Sequence, residues 1–226
     1  MFINIQDDVV SEIENRLSML AESTGSKLIT GKVRAISTSV FNQLTDRNIE
    51  TVLKLCEELL EQRKWAFGVI AYDWAFKLKH QYKRETFYVF DEWLQKYVTG
   101  WGDCDDFCTH AFGELLSQYS DLFPKVLEWT TNSDFWVRRA SAVILIYPIK
   151  KRNYPPLLPF EVTNRLMHDE HHLVLKGYGW MLKILSKDSE VEVRDYLIHN
   201  KDVMPRVSLR YAIESMTQES KQMILK

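Results

Sequence analysis

Glycine and proline are scarce in this chain, and their placement is informative. Only eight glycines and six prolines occur in 226 residues, and every proline lies at or after Pro124. With so few helix breakers before that point, the N-terminal half is predicted to be helical. Cysteine is scarce too. Three cysteines (Cys56, Cys104, Cys108) are an odd number, which excludes a disulfide framework and fits reduced thiols in a cytosol. Long apolar runs are missing: the longest, Ala140 to Ile149, is interrupted by Ser141 and Pro148 and is too short to cross a bilayer. The start, MFINIQDDVVSEIENR, has no basic segment followed by an apolar one, so no signal peptide is expected. No six-residue run alternates cleanly with β-branched residues, so no strand is predicted. Neither a Gly-rich phosphate loop ending in Gly-Lys-Ser/Thr nor a Gly-x-Ser-x-Gly elbow occurs, which leaves nucleotide hydrolysis and serine esterase chemistry without support.

What is present is ample apolar and aromatic material, 46% and 12% of residues, beside 27% charged. That composition excludes disorder and collagen and suffices for one continuous core. From Lys64 to Tyr82, Phe67, Ile70, Ala71, Trp74 and Leu78 recur at helical spacing. Similar patterns cover roughly 5–22, 31–44, 49–60, 84–98, 103–119, 121–131, 134–147, 158–167, 171–186, 189–199 and 203–218. Candidate stops are Ser23-Thr24-Gly25, Thr99-Gly100, Asn132-Ser133-Asp134 and the Pro-rich segment 153–159. About a dozen short helices with brief connections, paired about every 40 residues, predict an all-α, HEAT-like solenoid of stacked antiparallel helix pairs. One curved domain over 1–226 is expected, because the Pro-rich segment is too short to separate two.

Charge is unevenly spread. Residues 1–135 carry 14 Lys+Arg against 21 Asp+Glu, a balance of −7, whereas residues 136–226 carry 15 against 10, a balance of +5. Arg138-Arg139, Lys150-Lys151-Arg152 and the i, i+4 pair Arg206 and Arg210 lie in the basic part. Such clusters attract phosphates even on a mildly acidic chain, although a solvated face explains them too.

Three segments pair aromatics with charge or glycine near predicted helix starts. In Trp101-Gly102-Asp103-Cys104-Asp105-Asp106, a helix beginning near Trp101 puts Trp101 and Asp105 on one face. Carboxylates in its first turns are favoured by the helix dipole, which accounts for Asp103 without any function. In Trp136-Val137-Arg138-Arg139-Ala140, two arginines precede a core helix. In Lys176-Gly177-Tyr178-Gly179-Trp180, two glycines sit inside a helical pattern, where each costs about 1 kcal/mol relative to Ala; close backbone approach, ligand room or simple packing would each explain them. His168 and His172 have the i, i+4 spacing of a zinc chelate, but no third ligand is evident and a solvated helix start is favoured. Cys104 and Cys108 are expected to face the core.

These segments resemble the AlkD-like DNA alkylation repair proteins, which are built from HEAT-like repeats. The family's Trp-x-x-x-Asp motif matches Trp101 to Asp105, its Trp-x-x-Arg-Ala motif matches Trp136 to Ala140, and its Gly-Trp motif matches Gly179-Trp180. Met204 to Ile213 is similar to its final helix, and the resemblance spans about residues 30–215. It implies site residues Trp101, Asp105, Arg139 and Trp180, with Asp106 an alternative to Asp105. It implies hydrolysis of the N-glycosidic bond of cationic N3- and N7-alkylpurines in duplex DNA, without a base-specific pocket. Asp105 would stabilise the sugar cation, the indoles would pack on the sugar and lesion, and Arg139 would hold a phosphate. Arg138, Lys150, Lys151, Arg152, Arg206 and Arg210 are candidate DNA contacts. No cofactor, metal or membrane is implied, and a cytoplasmic monomer is expected. A DNA-binding relative without catalysis and a protein-interaction solenoid are the alternatives.

Overall fold

The protein is described from a computed structural model covering residues 8–23 and 28–226. The first residues of the expected helix 5–22, and the Thr24-Gly25 part of its stop, lie outside these described residues. Among the described residues every regular element is helical, and no helix is long and apolar enough to cross a membrane. The fold is all-α, a helical repeat whose helices stack in pairs. Two compact units divide it, one ending at Tyr97 and the other beginning at Val98.

The first unit contains α1 (Val9–Ser23), α2 (Thr30–Phe41), α3 (Ile49–Glu61), α4 (Trp65–Lys77) and α5 (Thr86–Tyr97). Its centre is α4, which packs between α2 and α3. The sequence pattern gives α4 a single apolar face, but the helix buries almost its whole circumference, Ala66 to Tyr72 together with Trp74 and Ala75. A helix apolar all round belongs inside a core. Its polar atoms are satisfied there: Trp74 Nε1 donates to the Ser37 carbonyl at 3.0 Å, and the Tyr82 hydroxyl donates to the Ala75 carbonyl at 2.8 Å.

The second unit carries α6 (Trp101–Thr109), α7 (Ala111–Gln118), α8 (Phe123–Glu128), α9 (Phe135–Val143) and α10 (Ile146–Lys150). After the Pro-rich turn come α11 (Pro159–Leu166), α12 (His172–Leu185), α13 (Glu190–Asn200), α14 (Arg206–Ile213) and α15 (Gln218–Leu225). Four of these form a ladder: α6 packs on α9, α9 on α12, and α12 on α14. Between them lies the core of Phe107, Phe112, Val137, Ala140, Val143, Val174, Tyr178 and Met181.

Two expected helices are broken, each for a packing reason. The pattern over 103–119 reads as one helix, but the chain kinks at His110, with φ −129° and ψ −92°. The kink lets α7 come unusually close to its neighbours. A Cβ on Gly113 would stand 2.5 Å from both the Cys108 carbonyl oxygen and the Tyr147 Cβ. The expected 134–147 helix ends at Val143 and resumes as α10, because Pro148 has no N–H to give to the Ile144 carbonyl and its ring would crowd it. The C-terminal α15 has no counterpart among the predicted helices. Thr217 caps it by accepting from Ser220 N at 3.2 Å, and Glu190 on α13 takes hydrogen bonds from Thr217 N, Thr217 Oγ1 and Ser220 Oγ.

The Gly113 contacts give a direct test. Gly113→Ala drives a methyl into backbone and a Cβ, neither of which can swing aside. Overpacking of this kind costs about 1–3 kcal/mol, read as a lower denaturant midpoint with an unchanged slope. An unchanged midpoint would show that α7 sits further from α10 than described.

Candidate active site

The residues singled out by the three motifs lie on successive rungs of the ladder. Helix α6 starts at Trp101, with extended Gly100 as its N-cap residue. No side chain of Gly100 is available for capping, so the cap comes from inside the helix. Asp103 reaches back to the helix start, where its Oδ2 would stand 3.3 Å from a Cβ on Gly100 and the Thr99 and Gly100 backbones favour its charged form. Burial raises the Asp103 carboxyl above its ordinary value, with Asp106 adding repulsion. Asp103 is thus occupied in building the helix start.

One turn further, Asp105 meets Arg139. On α9, capped by Asp134 accepting from Trp136 N at 2.8 Å, Arg139 projects from the middle of the helix into the ladder. Its guanidinium forks onto Asp105: Nε to Oδ1 is 3.0 Å, and Nη2 lies 2.7 Å from Oδ1 and 3.0 Å from Oδ2. Its third nitrogen, Nη1, donates to the Leu173 carbonyl on α12 at 2.5 Å. All three guanidinium nitrogens are engaged inside the protein, and the side chain is only 6% exposed, against 21% for Asp105. Arg139, expected to hold a phosphate, is placed on the carboxylate instead. Burial raises the Asp105 carboxyl above 3.8, and the Arg139 charge and hydrogen bonds pull the other way. Asp106, the alternative carboxylate, faces the ring of His110, 3.2 Å from Nδ1.

The glycines of the third motif are explained by space. A Cβ at Gly177 would stand 3.2 Å from Arg139 Cγ and 3.3 Å from Arg139 Nη1, so the absence of a side chain leaves room for the arginine. A Cβ at Gly179 would meet the Ser208 carbonyl oxygen and the Tyr211 Cβ at 2.9 Å, so α12 and α14 touch there backbone to backbone. Trp180 follows directly and is half-buried. Trp101, at the head of α6, is 66% exposed, an unusual position for an indole with no packing task.

The basic candidates separate. Arg206 and Arg210 lie exposed on α14, and Lys150 lies exposed at the end of α10; none of the three makes a hydrogen bond or ion pair with the described residues. Lys151 sits over the Tyr147 ring at 5.6 Å. Arg152 pairs with Asp188 at 2.9 Å and takes the left-handed conformation, φ 56°, that ends α10. Arg138 is turned inward. Nε and Nη2 bind Asp169 at 2.5 and 3.2 Å, and Nη1 donates to the Asn132 and Ser133 carbonyls.

The sequence reading missed Asp169, the Leu173 carbonyl and the part played by His171. His168 and His172 do not share a helical face: the turn joining α11 to α12 separates them, and His171 is the N-cap residue of α12. Among the described residues no group of three His, Cys, Asp or Glu is arranged to hold a metal. Cys104 and Cys108 are buried, and burial pushes the Cys108 thiol well up.

A ladder of paired helices is a fold shared with solved structures. The chain is similar to one described as a predicted DNA alkylation repair enzyme from Enterococcus faecalis, with 12% identity and a TM-score of 0.67 over 89% of this chain and 94% of that one. At such identity the likeness shows the fold alone. The family is shown by sequence: residues 28–216 match the DNA alkylation repair enzyme family, and the chain belongs to it. Its role is therefore in DNA repair. No curated protein matches the chain.

Proposed function

We propose that the protein is a DNA glycosylase that releases cationic N3- and N7-alkylpurines from duplex DNA, with Asp105 as its working carboxylate. The observation that carries this reading is the Asp105–Arg139 fork, which holds a partly exposed carboxylate one helical turn from an exposed indole.

The chemistry asks for little more. An alkylated purine already carries the positive charge, so it leaves as a neutral base when the bond from C1′ to the ring nitrogen breaks and takes the electron pair. Positive charge then grows on the sugar. A fixed carboxylate stabilises it by an amount that is large where water is excluded. Asp105 also accepts a hydrogen bond from the water that attacks C1′, whose proton passes to the carboxylate or to solvent. Trp101 and Trp180 pack on the sugar and the cationic base. Arg206, Arg210 and Lys150, which have no hydrogen-bond or ion-pair partner among the described residues, take backbone phosphates.

The test is release of free base from duplex DNA containing 7-methylguanine. Binding without release favours a DNA-binding relative. If neither occurs, and what affinity there is does not weaken with salt, a protein scaffold is favoured.

The pH profile adds a second check. The reaction needs Asp105 ionised, and burial holds its carboxyl above 3.8. Enzymatic release should therefore fall as pH drops through a midpoint above 3.8, and level off as pH rises and the carboxyl ionises. An acid limb at or below 3.8 would contradict assignment of the limb to Asp105.

A further inference from the structure

We propose that Arg138 and Asp169 are a positioning pair for the Asp105 carboxylate, acting through the first turn of α12. The proposal rests on the reading of Asp105 as the working group, and it changes the part assigned to Arg138, which had been a candidate DNA contact.

Consecutive arginines on α9 both reach the beginning of α12. Arg139 takes the Leu173 carbonyl, while Arg138 takes Asp169, whose side chain is only 6% exposed. Burying a carboxylate this dry is costly unless it is paired and hydrogen-bonded. Asp169 Oδ1 also accepts from His171 N at 2.8 Å, which fixes the backbone two residues before Leu173. His171 completes the turn: its Nδ1 accepts from Leu173 N at 3.3 Å, and its ring lies on Phe135 at a centroid distance of 3.6 Å and an interplanar angle of 18°. The first turn of α12 is therefore held to α9 at three points, by the ion pair, the ring stack and Arg139 itself.

This matters because a guanidinium is planar and rigid. With Nη1 anchored on the Leu173 carbonyl, the plane in which Nε and Nη2 meet Asp105 is set by the position of α12. Loosening the turn lets that plane rotate, and the fork loses alignment. Solvent has little access to Arg138, whose nitrogens are all committed inside the protein.

Asp169→Ala and Asp169→Asn separate the possibilities, with asparagine keeping an acceptor for His171. The full chain without DNA is titrated by carboxyl carbon NMR at Asp105, and unfolding, DNA affinity and single-turnover release of 7-methylguanine are measured alongside. In the alanine variant Asp105 should titrate at higher pH than in the parent, because Arg139 stabilises its charge less well. Asparagine should fall between. Single-turnover release should drop about tenfold in the alanine variant, a part of the about 100-fold that a 1 Å misplacement can cost, with DNA affinity unchanged. An unmoved Asp105 titration with lowered unfolding stability would overturn the proposal, leaving a purely structural clasp. A loss of DNA affinity with reduced salt dependence in Arg138→Ala would also overturn it, in favour of a phosphate contact. If the alanine variant does not fold, the asparagine variant decides. If the parent releases no base, the glycosylase reading fails, while the NMR titration still decides the positioning.

Discussion

Asp105→Asn should abolish most base release, by about 100-fold or more, while leaving DNA affinity nearly intact. The size follows from what is lost. Removing one preorganised electrostatic partner of a transition-state charge costs about 2.7–4 kcal/mol in a dry site. The asparagine amide has nearly the same shape and keeps one oxygen for Arg139 Nε and Nη2, giving up the Nη2 bond to Oδ2, and it offers the sugar cation a dipole in place of a charge. Ground-state binding rests on phosphate contacts elsewhere, and Asp105 repels phosphates rather than attracting them. Affinity should hold or rise slightly. Single-turnover release of 7-methylguanine, beside a direct binding measurement, reads both quantities. Equal loss of affinity and rate would mean that Asp105 supports the site's structure and does no chemistry. Asp106→Asn is the control, since that carboxylate faces His110 and not Arg139.

The fold was legible in the sequence wherever burial follows helical period. Helix α3 shows why: Val52, Cys56 and Leu60 recur at i, i+4 and i+8, Asn48 caps the helix by accepting from Glu50 N, and all three apolar residues are buried. Breaks set by contacts distant in sequence were not legible. Nothing local in 103–119 announces the kink at His110, because it goes with the approach of Gly113 to Tyr147 on α10 and to Ile144 in the turn before it. The site divides in the same way. Trp101, Asp105, Arg139 and Trp180 were named through the motifs, but the pairing of Asp105 with Arg139 joins residues 34 apart, and no periodicity encodes it. Arg138 shows the opposite failure. Two adjacent arginines before an apolar run read as surface charge, yet both are drawn inward, Arg138 to Asp169 in the turn before α12 and Arg139 to the Leu173 carbonyl in its first turn. The segment His168 to His172 has the spacing of a chelate, but it leads into the start of α12, as the sequence favoured, with His171 as the N-cap residue.

Arg139→Ala should be the most destabilising single change at the site. It removes a side chain that is 6% exposed and leaves Asp105 buried beside a void, with no guanidinium to offset its desolvation. Breaking a buried pair by deleting one partner costs about 3–5 kcal/mol. The remaining exposure of Asp105 puts the expected loss near the lower figure. The Leu173 carbonyl also loses its partner, so the loss of positioning reaches α12. The pH dependence has a definite sign. Burial already raises the Asp105 carboxyl, and without Arg139 it should rise further. A carboxyl with a raised folded pKa binds its proton more tightly in the native state, so the variant loses stability as pH climbs from the unfolded value toward the folded one. The gap between parent and variant should therefore be widest at neutral pH and narrow as acid protonates Asp105 in both. Chemical unfolding at pH 7 and near pH 4 measures the gap directly. Were the gap to stay constant across that range, the ion pair would contribute only its packing. Arg139→Lys sharpens the point: it keeps the charge but loses the planar fork and the reach to Leu173. It should recover much of the stability at neutral pH and little of the base release, because the reaction depends on where the carboxylate points as well as on its charge.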